Sequence, residues 1–144
     1  MEVFTISYTK KSAEVFFGLL ETNKIDVLID VRLYNSTQLA GFSKSRDLQF
    51  FLERLCGCGY VWAKRFAPSS ALFNAYKNGQ IDWSGYEGAY NELLDTRGGL
   101  EYFQVYVNRR ICLLCAEETP EHCHRRLLAE KIAAVYGGVT ITHF

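Results

Sequence analysis

The segment ICLLCAEETPEHCHRRLLAEKIAAVYGG, Ile111 to Gly138, holds three of the chain's five cysteines and two of its three histidines, where an apolar run gives way to a helical pattern. Such residues serve a metal knuckle, a reactive thiol, an anion cradle at a helix start, or plain packing of strand on helix. Cys112 and Cys115 have the CxxC spacing of zinc knuckles, but a knuckle needs a turn, and in a strand residues three apart point to opposite faces. Cys112 therefore reads as a small, buried apolar residue. Cys115 at the strand end, with Cys123 and His124 beyond it, forms a second set that can converge. Thr119 suits an N-cap, Pro120 the first helical position and Glu121 an acid-favouring first turn, which places Cys123 and His124 in the first turns of a helix, facing the sheet edge. The helix dipole, with His124 and Arg125 close by, predicts a Cys123 thiol titrating below the ~8.5 of free cysteine. The same free N–H donors would seat an anion.

The elements that must position these residues follow from periodicity. EVFTISY and IDVLIDVRL are short β-branched runs, and SAEVFFGLLETNK between them repeats apolar residues at Val15, Phe16, Leu19 and Leu20, so the three form a βαβ unit. Near-continuous apolar strands suit a parallel sheet covered on both faces. SRDLQFFLERLCGCG reads as a helix ended by glycines, GYVWA as a strand, and SSALFNAYKNG as a helix with Gly79 just past its end. Ser84 and Glu87 have capping-box spacing before a helical stretch through YNELLDT. LEYFQVYVN fits helix or strand, with helix favoured, and VTITHF closes the chain as a strand. Pro68 and Pro120 sit near helix starts. The expected architecture is a single three-layer α/β/α domain, residues 1–144, around a mostly parallel sheet of about five strands.

In open parallel sheets ligands bind outside the carboxyl ends of the strands. Those ends read Ser7, Tyr8 and Thr9, then Asp30, Val31 and Arg32, then Lys64 and Arg65, then Cys115, Ala116 and Glu117. Asp30 and Arg32 share a strand face, so the carboxylate can hold the guanidinium beside a ligand or simply form a structural salt bridge. Arg32, Arg125 and Ser7 are the candidate ligand-binding residues. Cys115 and Cys123 are candidate nucleophiles or redox centres, with Asp30, Glu117 and His124 as acid, base or orienting groups.

The composition narrows the setting. Lys plus Arg and Asp plus Glu each number 16 in 144 residues, so no overall field draws the chain to nucleic acid or an acidic membrane. No stretch reaches the ~20 apolar residues of a membrane span, and no export signal stands at the N-terminus. A clustered, odd set of cysteines argues for reduced thiols and a cytoplasmic setting.

The run LLCAEETPEHCHRRLLAE, together with TISYT, DVLIDVRLYNST, AGFSKSRDL and GYVWA in that order, resembles the Domain of Unknown Function 488 family, small and mostly prokaryotic proteins. The resemblance spans nearly the whole chain. It implies a compact α/β domain with its signature residues at one strand edge, and no established reaction. Matched positions are Asp30, Arg32, Gly41, Phe42, Cys115, Glu117, Cys123, His124 and Arg125. Ser7-Tyr8 stands where the family usually shows Gly-His, Ala40 where a proline is common, and RFAPSS where a Leu-Gly-Gly turn is typical.

Three functions compete. The first is an enzyme or ligand-binding domain for a small anionic molecule, nucleotide-like or phosphate-like, built on the Cys/His/Arg/Asp set. The chain has no CxxxxxR phosphatase loop, GxGxxG fingerprint or Walker lysine, so these motifs name neither the reaction nor a cofactor, which stays unknown. The second is a metal site from Cys115, Cys123 and His124, with Asp30 or Glu117, by ligand type. The third is a nucleic-acid or protein-binding module using Lys64, Arg65, Arg109 and Arg110 with Trp62, Phe66 and Trp83. Oligomeric state is not readable from the sequence.

Overall fold

The computed structural model describes residues 1–36 and 40–144; Thr37, which ends the DVLIDVRLYNST stretch, lies outside the described residues. Strands β1 (Glu2–Ser7), β2 (Val27–Asp30), β3 (Gly59–Trp62), β4 (Arg110–Cys115) and β5 (Thr140–His143) form one sheet in the order β3-β2-β4-β1-β5. Every pairing is parallel, which fits the near-continuous apolar runs of β1, β2 and β4. About half of the chain is helical, so the α/β class is as expected.

Alternation along the strands splits the core in two. Val3, Val27, Ile29, Ile111 and Leu113 point to one face, under helices α4 (Trp83–Arg97) and α5 (His124–Tyr136). Phe4, Ile6, Leu28, Cys112 and Leu114 point to the other, under α1 (Ala13–Thr22) and α2 (Ser45–Phe51). Helix α2 runs on through a π turn at Leu52–Cys56 and stops at Gly57, whose φ of 59° is left-handed backbone that glycine adopts without strain. Helix α3 (Ser70–Lys77) starts at the Ser69 cap and buries none of its residues fully.

Helix α4 is capped by Asp82, whose carboxylate accepts from the Gly85 N–H, two residues ahead of the Ser84 and Glu87 capping box expected from spacing. An Asp before Trp-Ser is an equally good cap, and the aromatic Trp83 fits inside the helix. LEYFQVYVN forms a 3-10 helix over Leu100–Tyr106, begun by Gly98 and Gly99 at positive φ. The last helix starts at His124, with Cys123 in the extended N-cap conformation. Thr119 and Pro120 therefore belong to the connecting turn, a correction to the expected start.

The connections leaving β1 and β2 pass to the α1–α2 face, whereas the one leaving β4, which lies between them, passes to the α5 face. Such a divergence opens a crevice at the carboxyl end of the strand concerned, here at Cys115.

Cys112 is fully buried on the α1–α2 face, and burial pushes its thiol well above the ordinary value, as it pushes Cys58 beside it up to about 12. Both thiols are thus protonated, apolar packing groups at neutral pH. Cys112→Ala is expected to cost about 1 kcal/mol. Urea unfolding checks it as a lowered midpoint with an unchanged slope.

Candidate functional site

The cavity at the end of β4 measures about 320 Å³. Its floor carries Arg32, Cys115, Cys123 and His124, Glu117 stands at its side, and Tyr8, Tyr34, Phe73, Tyr76 and Tyr86 contribute to its walls.

The strand and helix joint builds the thiol pair. Cys115 is the last residue of β4 and faces the α5 side, like Ile111 and Leu113. His124 opens α5 and is buried, with its Nε2 2.8 Å from the Val31 carbonyl oxygen. A carbonyl accepts only, so Nε2 carries the proton and donates it, and Nδ1 is left toward the sulfur. Cys115 Sγ lies 3.6 Å from Nδ1 and 3.8 Å from Nε2. Near-equal distances put the sulfur off the axis of either nitrogen, so charge attraction across the ring dominates over a directed hydrogen bond. The Tyr90 ring packs beside the imidazole at 5.4 Å between centroids and helps exclude water.

Opposing effects decide the charge. Burial raises the Cys115 thiol, but hydrogen bonding from Cys123, the charge and hydrogen bond of His124, and a backbone N–H at Glu117 outweigh it, and the thiol falls well below its ordinary value. Burial lowers His124, yet the Cys115 charge more than reverses this, and the imidazole rises. The two shifts share one cause: a negative sulfur and a positive ring, side by side, each favour the other's charged form. Cys123 moves oppositely. Burial raises it, and donating its hydrogen bond to Cys115 raises it further. The expectation that Cys123 is the acidic thiol is thereby corrected. Cys115 and Cys123 are both buried, so desolvation raises both thiols; what separates them is the His124 imidazole beside Cys115 and the hydrogen bond that favours charge on Cys115 over Cys123.

Arg32 is held by a fork. Its Nε and Nη2 donate to the two Asp30 oxygens at 2.8 and 2.7 Å, and its backbone N–H donates to Oδ1 at 3.1 Å. Tyr60 donates its hydroxyl to Asp30 Oδ2 at 2.7 Å and accepts from Asn35 at 3.2 Å. Asp30 follows Leu28 on the α1–α2 side, so it backs Arg32 from behind and does not line the cavity. Arg32 does line it, is 2 % exposed, and has no hydrogen-bond partner for Nη1 among the described residues. The Tyr8 ring lies over the guanidinium at 5.5 Å. Tyr60→Phe should therefore cost about 1.5–3 kcal/mol, the range for a hydrogen bond to a charged group, read as a lowered thermal midpoint.

The remaining candidates support the loop after β4. Ser7 Oγ donates to the Ala116 carbonyl at 3.2 Å and accepts from the Thr9 N–H at 2.9 Å. Arg125, fully buried, donates Nη1 to the Glu117 carbonyl and Nη2 to that of Glu118 at 3.3 Å. Neither lines the cavity. Glu117 pairs with Lys77 at 3.1 Å, both about half exposed, an arrangement of little energetic weight. Tyr60 and, apart from Tyr8 at its strand end, the aromatic walls are not marked in the sequence; Tyr60 alternates with Val61 along GYVW, and its pairing opposite Leu28 brings it to Asp30 only once β2 and β3 are neighbours.

Residues 12–132 match the family described as domain of unknown function DUF488. The chain belongs to that family. The DUF488 match contains Asp30, Arg32, Cys115, Glu117, Cys123, His124 and Arg125, and in this DUF488 chain they occupy one edge of the sheet. No curated protein and no solved structure matches the chain. No helix among the described residues is long and apolar enough to cross a membrane.

Proposed function

We propose that this chain is a thiol enzyme or ligand-binding protein for a small anionic molecule, with Cys115 as thiolate, His124 as its imidazolium partner and Arg32 as the anion holder. The observation that carries the reading is the presence, in one cavity, of a buried thiol–imidazole pair and a buried guanidinium with an unused N–H. A buried donor without a partner costs roughly 1–3 kcal/mol, which an anion oxygen would recover. Asp30 orients Arg32, Cys123 donates to the thiolate, and the Val31 carbonyl fixes the ring. A thiolate so placed attacks an electrophilic centre on the bound molecule, and the imidazolium is poised to protonate the group that leaves.

The test compares two alkylating reagents of one size. If Arg32 holds anions, iodoacetate modifies Cys115 faster relative to iodoacetamide than it modifies free cysteine, and Arg32→Lys lowers that preference. Equal preference in the protein and in free cysteine would dismiss the anion role.

One observation favours a second reading: ligand atoms of Cys115, Cys123 and His124 lie within 4.8 Å of one another, all buried. With Nε2 donating to a carbonyl, Nδ1 would be the ligand atom, the usual outer support of a metal-bound histidine. Two thiolates and an imidazole suit zinc with a further position toward the cavity. Equilibrium dialysis against zinc, on wild type and Cys123→Ser, separates the readings: stoichiometric zinc that blocks alkylation of Cys115 in the wild type selects the metal.

A further inference from the structure

We infer that the molecule held here is a planar aromatic ring bearing an anionic group, such as a nucleoside monophosphate or an aromatic carboxylate; this rests on the anion reading above. The anionic half follows from Arg32. The aromatic half follows from the wall. Helix α3 carries Phe73 and Tyr76 one turn apart, hence on one side, and both line the cavity. Phe73 is half-buried, yet among the described residues it packs into neither core; its ring meets that of Tyr34 edge to face at 6.2 Å. Tyr34, 54 % exposed, also lines the cavity. Tyr76 continues the wall into a stack, with centroids 5.0 Å from Tyr86, and Tyr86 lies 5.2 Å from Trp83.

Tyr76 packs against the α4–α5 core as well as lining the cavity, whereas Phe73, on a short helix that buries nothing fully, turns to the cavity and adds little to the fold. Such rings bind flat π-faces through stacking and edge contacts. A bare phosphate would satisfy Arg32 and leave this wall wet. A cavity of about 320 Å³ is near the lower end for small-molecule sites, so it fits one nucleotide-sized ligand and no duplex.

Isothermal titration of the full chain with AMP, ribose 5-phosphate, adenosine and 4-hydroxybenzoate tests this. AMP or 4-hydroxybenzoate is expected to bind at least about tenfold more tightly than ribose 5-phosphate and adenosine, and to protect Cys115 from iodoacetamide. Whichever of the two prevails names the source. Phe73→Ala should weaken that ligand about tenfold, Phe73→Trp should restore it, and ribose 5-phosphate should be indifferent to both. Circular dichroism confirms that the variants fold. Equal affinity for AMP and ribose 5-phosphate, with no gain for 4-hydroxybenzoate, overturns the aromatic half. If Cys115 still prefers iodoacetate in that case, the anion reading survives alone; if that preference is also missing, both fall.

Discussion

His124→Gln is expected to slow alkylation of Cys115 at pH 7 by at least about tenfold, because a thiol returned to its ordinary value of roughly 8.5 is only a few per cent thiolate at that pH. Glutamine keeps a donor for the Val31 carbonyl but carries no charge, so the loss reports the imidazolium and not a vacated space. The pH profile supplies the sign. The lowered Cys115 thiol contributes stability above the ordinary cysteine value, and loses it as pH falls through its folded value. The raised His124 contributes below the ordinary imidazole value, and loses it as pH rises through its folded value. Acid and alkali thus each dismantle one half of the pair, and the stability advantage of wild type over His124→Gln should shrink toward both ends. Unfolding midpoints from pH 4 to 10 measure this.

The largest effect on stability is expected from Asp30→Ala. Asp30 and Arg32 are both essentially buried, and Asp30 is the carboxylate that neutralises the guanidinium. Removing it strands a buried cation and cuts the Tyr60 hydroxyl from its acceptor, a loss of about 3–5 kcal/mol. Guanidinium unfolding should show it as a lowered midpoint. Replacing both partners by apolar residues, Asp30→Leu with Arg32→Met, should recover most of the stability, since the fold needs the pair matched more than it needs it charged. The double variant should nonetheless lack the iodoacetate preference at Cys115. Full preference without Arg32 would assign the anion to another group.

The sheet was legible because burial on both faces leaves an unmistakable trace: IDVLIDV and RICLLC have no room for polar residues until the strand ends. For the same reason Asp30, Cys115 and Glu117 could be placed at one edge before any coordinates. The expected Asp30–Arg32 contact is present, although β2 ends at Asp30 and the guanidinium reaches back from the turn beyond it. What sequence could not convey was each side chain's surroundings. Cys123 and Cys115 look alike as neighbours of a helix start and are buried alike, and which of them the surroundings favour as thiolate depends on a sulfur–ring distance and the direction of one hydrogen bond. The aromatic wall was hidden for a related reason: Phe73 and Tyr76 in SSALFNAYK carry the spacing of an ordinary core face, and only the packing shows Phe73 left to the cavity. The start of the last helix was hidden because Thr119 is the better cap by residue type, whereas the helix begins after Cys123, whose side chain makes no cap hydrogen bond.

The central claim is that Cys115 is a thiolate at neutral pH, neutralised by His124. Ultraviolet thiolate absorbance of the metal-free protein, titrated from pH 4 to 10, less that of Cys115→Ser, measures it most directly. The account predicts close to one thiolate per chain already present at pH 7, lost only on acidification and absent from Cys115→Ser. A difference that stays near zero at pH 7 and emerges only around the ordinary cysteine value of roughly 8.5 would contradict it.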